Sequence, residues 1–423
     1  MQVMSETVRL GKNSLWLVAA RIAAQALALF SLLLARKLGS VGFGEYAFFT
    51  TVVFIGNIVT TCGTDLYLIR EIAARDALAD LPAALWIQLL LSAFFIVGAG
   101  LVAPFVPNQS ADSILALQIY SLTLIPLAFY SIFTTALRGK QRMDLYALLS
   151  LASALVQALV IVLFLLGSGG VVLLAILLLG AQVLVTVLAG WFCVRQVGGA
   201  WRGWGWRFSW PHVRTVLIAS AALGVLGVLG MLYQKAGLLL LSTLSGAALT
   251  GWYAAVLRVL EASKLFHVAT LTALYPLMAK PSGPAAGAIQ FSWKVLLAGA
   301  FALALGLSLL AAPVVDLLYG AEFAPAAPIL HILAWALVPY AINSFLTLAF
   351  VACNRTRIVV GALTASLAAL ALLSLWWIPL YGLDGAAWAA LSAEALQAIL
   401  LLAQIPASLK ISQGTSHELS QLS

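Results

Sequence analysis

Charge is scarce in this chain of 423 residues: Asp, Glu, Lys and Arg together make up 9%, against 63% hydrophobic residues. A soluble domain carries about a quarter of its residues charged, so too little polar surface is available here to keep the chain in water. Cysteine is equally sparse. Cys62, Cys193 and Cys353 lie in or beside apolar segments and none forms a Cys-x-x-Cys pair, which leaves packing as their expected role. The histidines, His212, His267, His331 and His417, show no metal-ligand spacing, so neither a metal site nor a resident cofactor is expected.

What is abundant is the apolar run of about 20 residues, repeated along the whole length, which is the signature of membrane-spanning helices and not of the alternating ten-residue strands of an outer-membrane barrel. The first run is expected to stay as a span and not to be cleaved as a signal peptide. The runs, separated by charged or Gly/Pro-rich breaks, place twelve helices at 14–35, 46–68, 83–103, 113–136, 145–166, 171–194, 215–241, 251–275, 291–313, 326–351, 357–378 and 385–407. The expected fold class is therefore an all-α polytopic membrane protein.

The basic residues orient it. Of 22 Lys and Arg, 16 fall on the N-terminus, the even-to-odd connections and the C-terminal tail. Arg36 and Lys37 lie on the other side, and Arg21, Lys235, Arg258 and Lys264 lie within the spans. The positive-inside bias puts both termini in the cytoplasm. The net charge of +8 is thereby a topology signal, and nucleic acid is not an expected partner. The connection "RQVGGAWRGWGWRFSWPHVR" (195–214), rich in tryptophan and arginine, suits a segment lying on the cytoplasmic headgroups.

That linker separates six spans from six, and the two sides echo each other. "GEYA" (44–47) matches "GWYA" (251–254), "ALRGKQRM" (136–143) matches "ACNRTRI" (352–358), and "LLGSGG" (165–170) matches "LYGLDG" (380–385), all in the same order. The expected organisation is an N-terminal six-helix lobe (1–194), the interfacial linker (195–214) and a C-terminal six-helix lobe (215–423), pseudo-symmetric about a central cavity and suited to alternating access.

Charges within the spans are the candidate site. In "WLVAARIAAQALALF" (16–30), Arg21 costs about 2.5–3.5 kcal/mol on insertion scales and stands about 10 Å deep. It either snorkels, pairs with Asp65, or lines a cavity where it would meet an anion. In "YAAVLRVLEASKLFHVATLTALY" (253–275), Arg258, Glu261 and Lys264 recur at steps of three, which helical geometry keeps on one side. Glu261 either neutralises its neighbours or holds them until a substrate displaces it. Lys235 joins them as a candidate cavity cation. Glu394, in the last span, is a structural partner or a coupling carboxylate for H⁺ or Na⁺. Arg70 and Arg75 are cytoplasmic anchors or stand at the cytoplasmic mouth. Glu45 balances Arg36 or Lys37, or the two basic residues mark the exit.

The stretches "ARKLGSVGFGEYAFF" (35–49), "TDLYLIREIAARD" (64–76), "YGAEFAPAAPILHILAWA" (319–336) and "YGLDGAAWAALSAEAL" (381–396) resemble bacterial polysaccharide-precursor flippases of the multidrug/oligosaccharidyl-lipid/polysaccharide exporter (MOP) superfamily. The resemblance covers nearly the whole chain. It implies a transporter, not an enzyme, that moves undecaprenyl-diphosphate-linked oligosaccharide from the cytoplasmic to the periplasmic leaflet. The implied partners are that lipid, the bilayer and a polysaccharide polymerase complex. Two rivals stay open: a cation-coupled drug exporter of the same superfamily, and a polytopic glycan polymerase or ligase. The short outward loops and the lack of a Ser-x-x-Lys or His/carboxylate constellation count against the enzyme. The excess of basic groups over Asp65, Glu261 and Glu394 counts against the exporter of cations.

Overall fold

The computed structural model describes residues 30–197, 208–264, 267, 270–271, 284–353 and 355–405. Among these the ordered elements are helices: α1 (Ser31–Thr61), α2 (Thr64–Arg75), α3 (Leu81–Val102), α4 (Ala111–Ser121), α5 (Leu124–Gly139), α6 (Met143–Leu166), α7 (Val171–Val197), α8 (Trp210–Ser245), α9 (Ala247–Ser263), α10 (Pro284–Leu309), α11 (Ala311–Tyr319), α12 (Ala326–Ala334), α13 (Leu337–Ala352) and α14 (Thr356–Ala403). Eight stretches in the described residues are long and apolar enough to cross a membrane, or nine if the bent pair α12–α13 is one span. Their surface is inverted relative to a soluble protein: Phe94, Phe105, Leu166 and Leu317 are 75–84% exposed, which suits lipid and not water. The first expected span, 14–35, lies mostly outside the described residues.

Where the helices depart from the expected spans, glycine supplies the reason. The loop expected between the first two spans is absent. Helix continues from Ser31 to Thr61 and is broken only at Gly39, whose φ of 67° a side chain would oppose. The loop expected at 379–384 likewise shrinks to a break at Gly382 (φ 55°) inside α14. The second span ends earlier than expected, where Cys62 and Gly63 both turn left-handed. The residues beyond start α2, which buries Thr64, Leu68 and Ile72 one turn apart and leaves Arg70 and Arg75 exposed.

By contacts the chain forms two compact units, Met1–Ala254 and Ala255–Ser423. In the first, α8 and the start of α9 pack on α1. Gly44 meets Gly251 so closely that a Cβ on Gly44 would lie 1.8 Å from the Ala247 carbonyl oxygen, and one on Gly251 1.9 Å from that of Ser40. Backbones touch here because neither residue has a side chain. The echoing "GEYA" and "GWYA" thus cross at their glycines. Nearby, Asn108 and Gln109 donate to the carbonyls of Thr243 (2.7 Å) and Ser242 (3.1 Å), and Ser110 donates its hydroxyl to Glu45. Lys37 donates to the Leu165 carbonyl at 3.3 Å. Division by packing at Ala254 is a separate matter from the lobes expected at 1–194 and 215–423, which rest on sequence repeat.

The backbone also repeats. Between α4 and α5 the ladder tightens: Leu122 donates to Ile119 (3.2 Å), Thr123 to Tyr120 (3.0 Å) and Ile125 to Leu122 (3.2 Å). Between α12 and α13 the same three bonds recur 213 positions later, from Trp335 to Ile332, Ala336 to Leu333 and Val338 to Trp335. The helix ends match too. Lys140 donates to Ala136 and Arg142 to Leu137, as Cys353 donates to Ala349 and Arg355 to Phe350. These are the turns of the "ALRGKQRM" and "ACNRTRI" echo.

Candidate functional site

Helix α9 has two faces. Ala255, Val256, Val259 and Leu260 are buried, and the Tyr319 hydroxyl donates to the Ala255 carbonyl at 2.9 Å, tying α11 to this face. On the other side, Arg258 Nη1 lies 3.6 Å from Glu261 Oε2, with 38% and 42% of the two side chains exposed. A half-exposed pair at that distance contributes about 0–1 kcal/mol in water. Lys264 ends the same stripe. Its backbone N–H still bonds the Leu260 carbonyl, and its ammonium stands 4.2 Å from the centroid of the Tyr340 ring. The structure thus brings Arg258 and Glu261 together, as the spacing suggests, and adds Tyr340 of α13, which the sequence does not reveal.

The other candidates are scattered. Lys235, half-buried on α8, holds its ammonium 6.0 Å from the Phe54 ring centroid, at the outer limit of a cation–π contact. Asp65 is in the first turn of α2, where the helix dipole favours a carboxylate. Arg75 pairs with Glu71 one turn earlier at 2.5 Å. Arg70 is exposed on the same helix. Arg21, and with it any pairing to Asp65, lies outside the described residues.

Glu394 has a partner that spacing alone does not find. Asn343, 4% exposed on α13, donates through Nδ2 to the Glu394 carboxylate at 2.7 Å and to its backbone carbonyl at 3.0 Å. One amide therefore fixes both the helix and its acid. Only the distant position of Asn343 along the chain hides the pair. Among the described residues no three His, Cys, Asp or Glu side chains stand close enough to share a metal ion.

Solved structures share this architecture. The lipid II flippase MurJ in an inward closed conformation superposes with a TM-score of 0.76 at 16% identity, over 92% of this chain and 87% of that one. An inward-facing multidrug resistance MATE transporter of the MOP superfamily gives 0.72 at 15% identity, over 94% and 99%. A MOP-superfamily transporter from Pyrococcus furiosus gives 0.64 at 15% identity, over 92% and 94%. The fold is accordingly that of MOP-superfamily transporters, and the chain is a multi-pass helical membrane protein. No curated protein sequence matches it. The family model described as polysaccharide biosynthesis protein matches residues 10–281, well over half the length, and the chain belongs to that family.

Proposed function

We propose that this protein is a flippase carrying undecaprenyl-diphosphate-linked oligosaccharide from the cytoplasmic to the periplasmic leaflet of the bacterial inner membrane by alternating access. The observation that carries this reading is the α9 stripe, Arg258 and Lys264 on either side of Glu261, in the helix that opens the eighth expected span of a polysaccharide biosynthesis protein. Charge inside a span is expensive and calls for a ligand or pathway.

A diphosphate suits the stripe. The Arg258 guanidinium presents a planar fork to two phosphate oxygens, a geometry its 3.6 Å contact with Glu261 does not fill. Substrate oxygens displace the carboxylate, and Glu261 retakes Arg258 after release, so the cation is not left bare in either state. Lys264 and Lys235 add charge without fixed geometry, and Arg21 is the cation assigned to the first span. Arg70 and Arg75 gather the anionic lipid at the cytoplasmic mouth. The Glu394–Asn343 pair is the place for a coupling H⁺ or Na⁺, because a half-buried carboxylate gains most from a cation. A polysaccharide polymerase would take the product outside.

Reconstitution tests the reading. Purified protein in liposomes is given fluorescent undecaprenyl-diphosphate-linked oligosaccharide, and leaflet exchange is scored by loss of signal to an outside quencher. Exchange above empty vesicles is expected. Absence of exchange, together with efflux of a cationic dye, would replace this reading with the drug exporter.

A further inference from the structure

The charged groups above answer to a diphosphate and leave the glycan without a recognising surface. In the first unit, between α1, α4, α6 and α7, lies a small, open-mouthed cavity of about 50 Å³. Its polar lining is Tyr46, Tyr120, Ser153, Gln157 and Gln182, completed by an apolar patch of α7, with no charged side chain among the residues that line it. Gln157 stands nine residues from the end of α6 and Gln182 eleven from the start of α7. At 1.5 Å per residue these are about 14 Å and about 17 Å into a hydrocarbon layer about 30 Å thick.

Two primary amides, two phenols and a hydroxyl near mid-membrane need a reason, since each loses water there. Their internal bonds are a poor replacement. Gln157 Nε2 reaches Ser153 Oγ at 3.4 Å and Gln182 Nε2 reaches Thr186 Oγ1 at 3.3 Å, each within its own helix and each long. An amide has two donor hydrogens and an acceptor oxygen, so most of this capacity remains. The aromatic wall is held in place: Phe49 packs edge-on to both Tyr46 and Tyr120, with centroids 5.6 Å and 5.2 Å away.

We propose that this cavity is a subsite for an uncharged polyhydroxyl group, a sugar ring of the lipid-linked glycan. Every sugar hydroxyl both donates and accepts, which is what amide and phenol pairs satisfy together. A ring's C–H face packs on tyrosine. The lack of charge disfavours a diphosphate or a cation here. Its volume is well below the about 300–1,000 Å³ of sites that enclose a whole ligand, so it takes part of one ring entering through the open mouth and not a repeat unit. The inference rests on the flippase reading and assigns the sugar a place distinct from the groups that hold the diphosphate.

Binding to the full chain in lipid nanodiscs tests it, with four probes: undecaprenyl diphosphate alone, and the same lipid bearing one glucose, one galactose or one N-acetylglucosamine. At least one glycosylated lipid should bind roughly tenfold tighter than the bare one, the equivalent of two or so hydrogen bonds. Gln182→Leu and the volume-preserving Tyr120→Phe should each reduce that preference about threefold to tenfold while the bare lipid binds as before. Equal binding of bare and glycosylated lipids by the parent would overturn the subsite and leave the flippase reading intact. So would variants that weaken all four probes alike, the mark of a structural role. If the parent binds none of the four, the lipid-diphosphate reading fails and the subsite falls with it.

Discussion

The broken spans α4–α5 and α12–α13 follow one backbone design and carry two chemistries. Their hydrogen-bond ladders slip at residues 213 positions apart and their ends close in the same way. Yet Asn343, which holds Glu394, corresponds at that offset to Tyr130, whose backbone carbonyl merely accepts from Thr134 at 2.9 Å. By the 215-position offset of the hairpins, Glu394 stands where Leu179 stands in α7. The first unit buries a neutral pair of contacts, in which Gln88, fully buried, donates to Thr64 at 2.9 Å and to Ser131 at 3.4 Å, and a carboxylate, Glu45, that accepts from the Ser110 hydroxyl. The second places the acid of its carboxylate–amide pair and the α9 stripe at half-exposed positions. The lesson is that the repeat constrains the chain's path, because helix breaks are set by backbone geometry. Side chains then differentiate the copies, because each substitution on a given path is local.

That contrast can be broken most severely at the backbone. Gly44→Val or Gly251→Val should cost well over 3 kcal/mol, since a Cβ overlaps a carbonyl oxygen within 2 Å and no rotamer relieves it. Membrane abundance and thermal stability of the purified protein measure this. Gly98→Ala, with nothing within 4 Å of the added carbon, is the control and should be neutral or slightly stabilising. A tolerated Gly44→Val would mean that the two echo motifs do not cross as described.

Chemistry is broken next. Arg258→Ala should remove most leaflet exchange, roughly tenfold or more, with abundance near that of the parent, because the Glu261 pair contributes little stability. Arg258→Lys should fall between, keeping charge and losing the fork. Arg21→Ala should match Arg258→Ala. Parental rates in both alanine variants would leave the α9 stripe a structural ion pair.

Glu394→Gln sharpens the difference between units. The amide oxygen still accepts from Asn343, so stability should change by about 1 kcal/mol or less, while any dependence of exchange on a proton or Na⁺ gradient should vanish. Asn343→Leu instead removes a buried donor from the half-buried Glu394 carboxylate and should cost about 1–3 kcal/mol of stability, read as a lowered melting temperature. Smallest of all, Lys264→Ala and Lys235→Ala should slow exchange only about twofold to fivefold, the scale of a cation–π contact of about 0.5–1 kcal/mol. A larger loss at Lys264 would move the centre of the anion site from Arg258 towards α13.

Much of this was legible in the residues themselves. Membrane embedding and most of the spans follow from hydropathy, a property of each segment alone. The clustering of Arg258 with Glu261 follows from helical period, again local. The two missing loops were not legible, because Gly39 and Gly382 each reverse φ at a single residue where composition reads as a longer break. Nor were Tyr340 beneath Lys264, Asn343 beside Glu394 or the neutral cavity, although every residue involved is a common one.

The sequence by itself determined the class of molecule, its all-helical spans and its family, since these depend on the amount and order of apolar and basic residues along the chain. Tertiary structure alone decided that Gly44 meets Gly251, that Asn343 finds Glu394 and that Tyr46, Tyr120, Gln157 and Gln182 share one cavity. Those meetings join positions tens to hundreds of residues apart. They depend on the rotation and depth of each helix against its neighbours, which packing sets and no local pattern encodes.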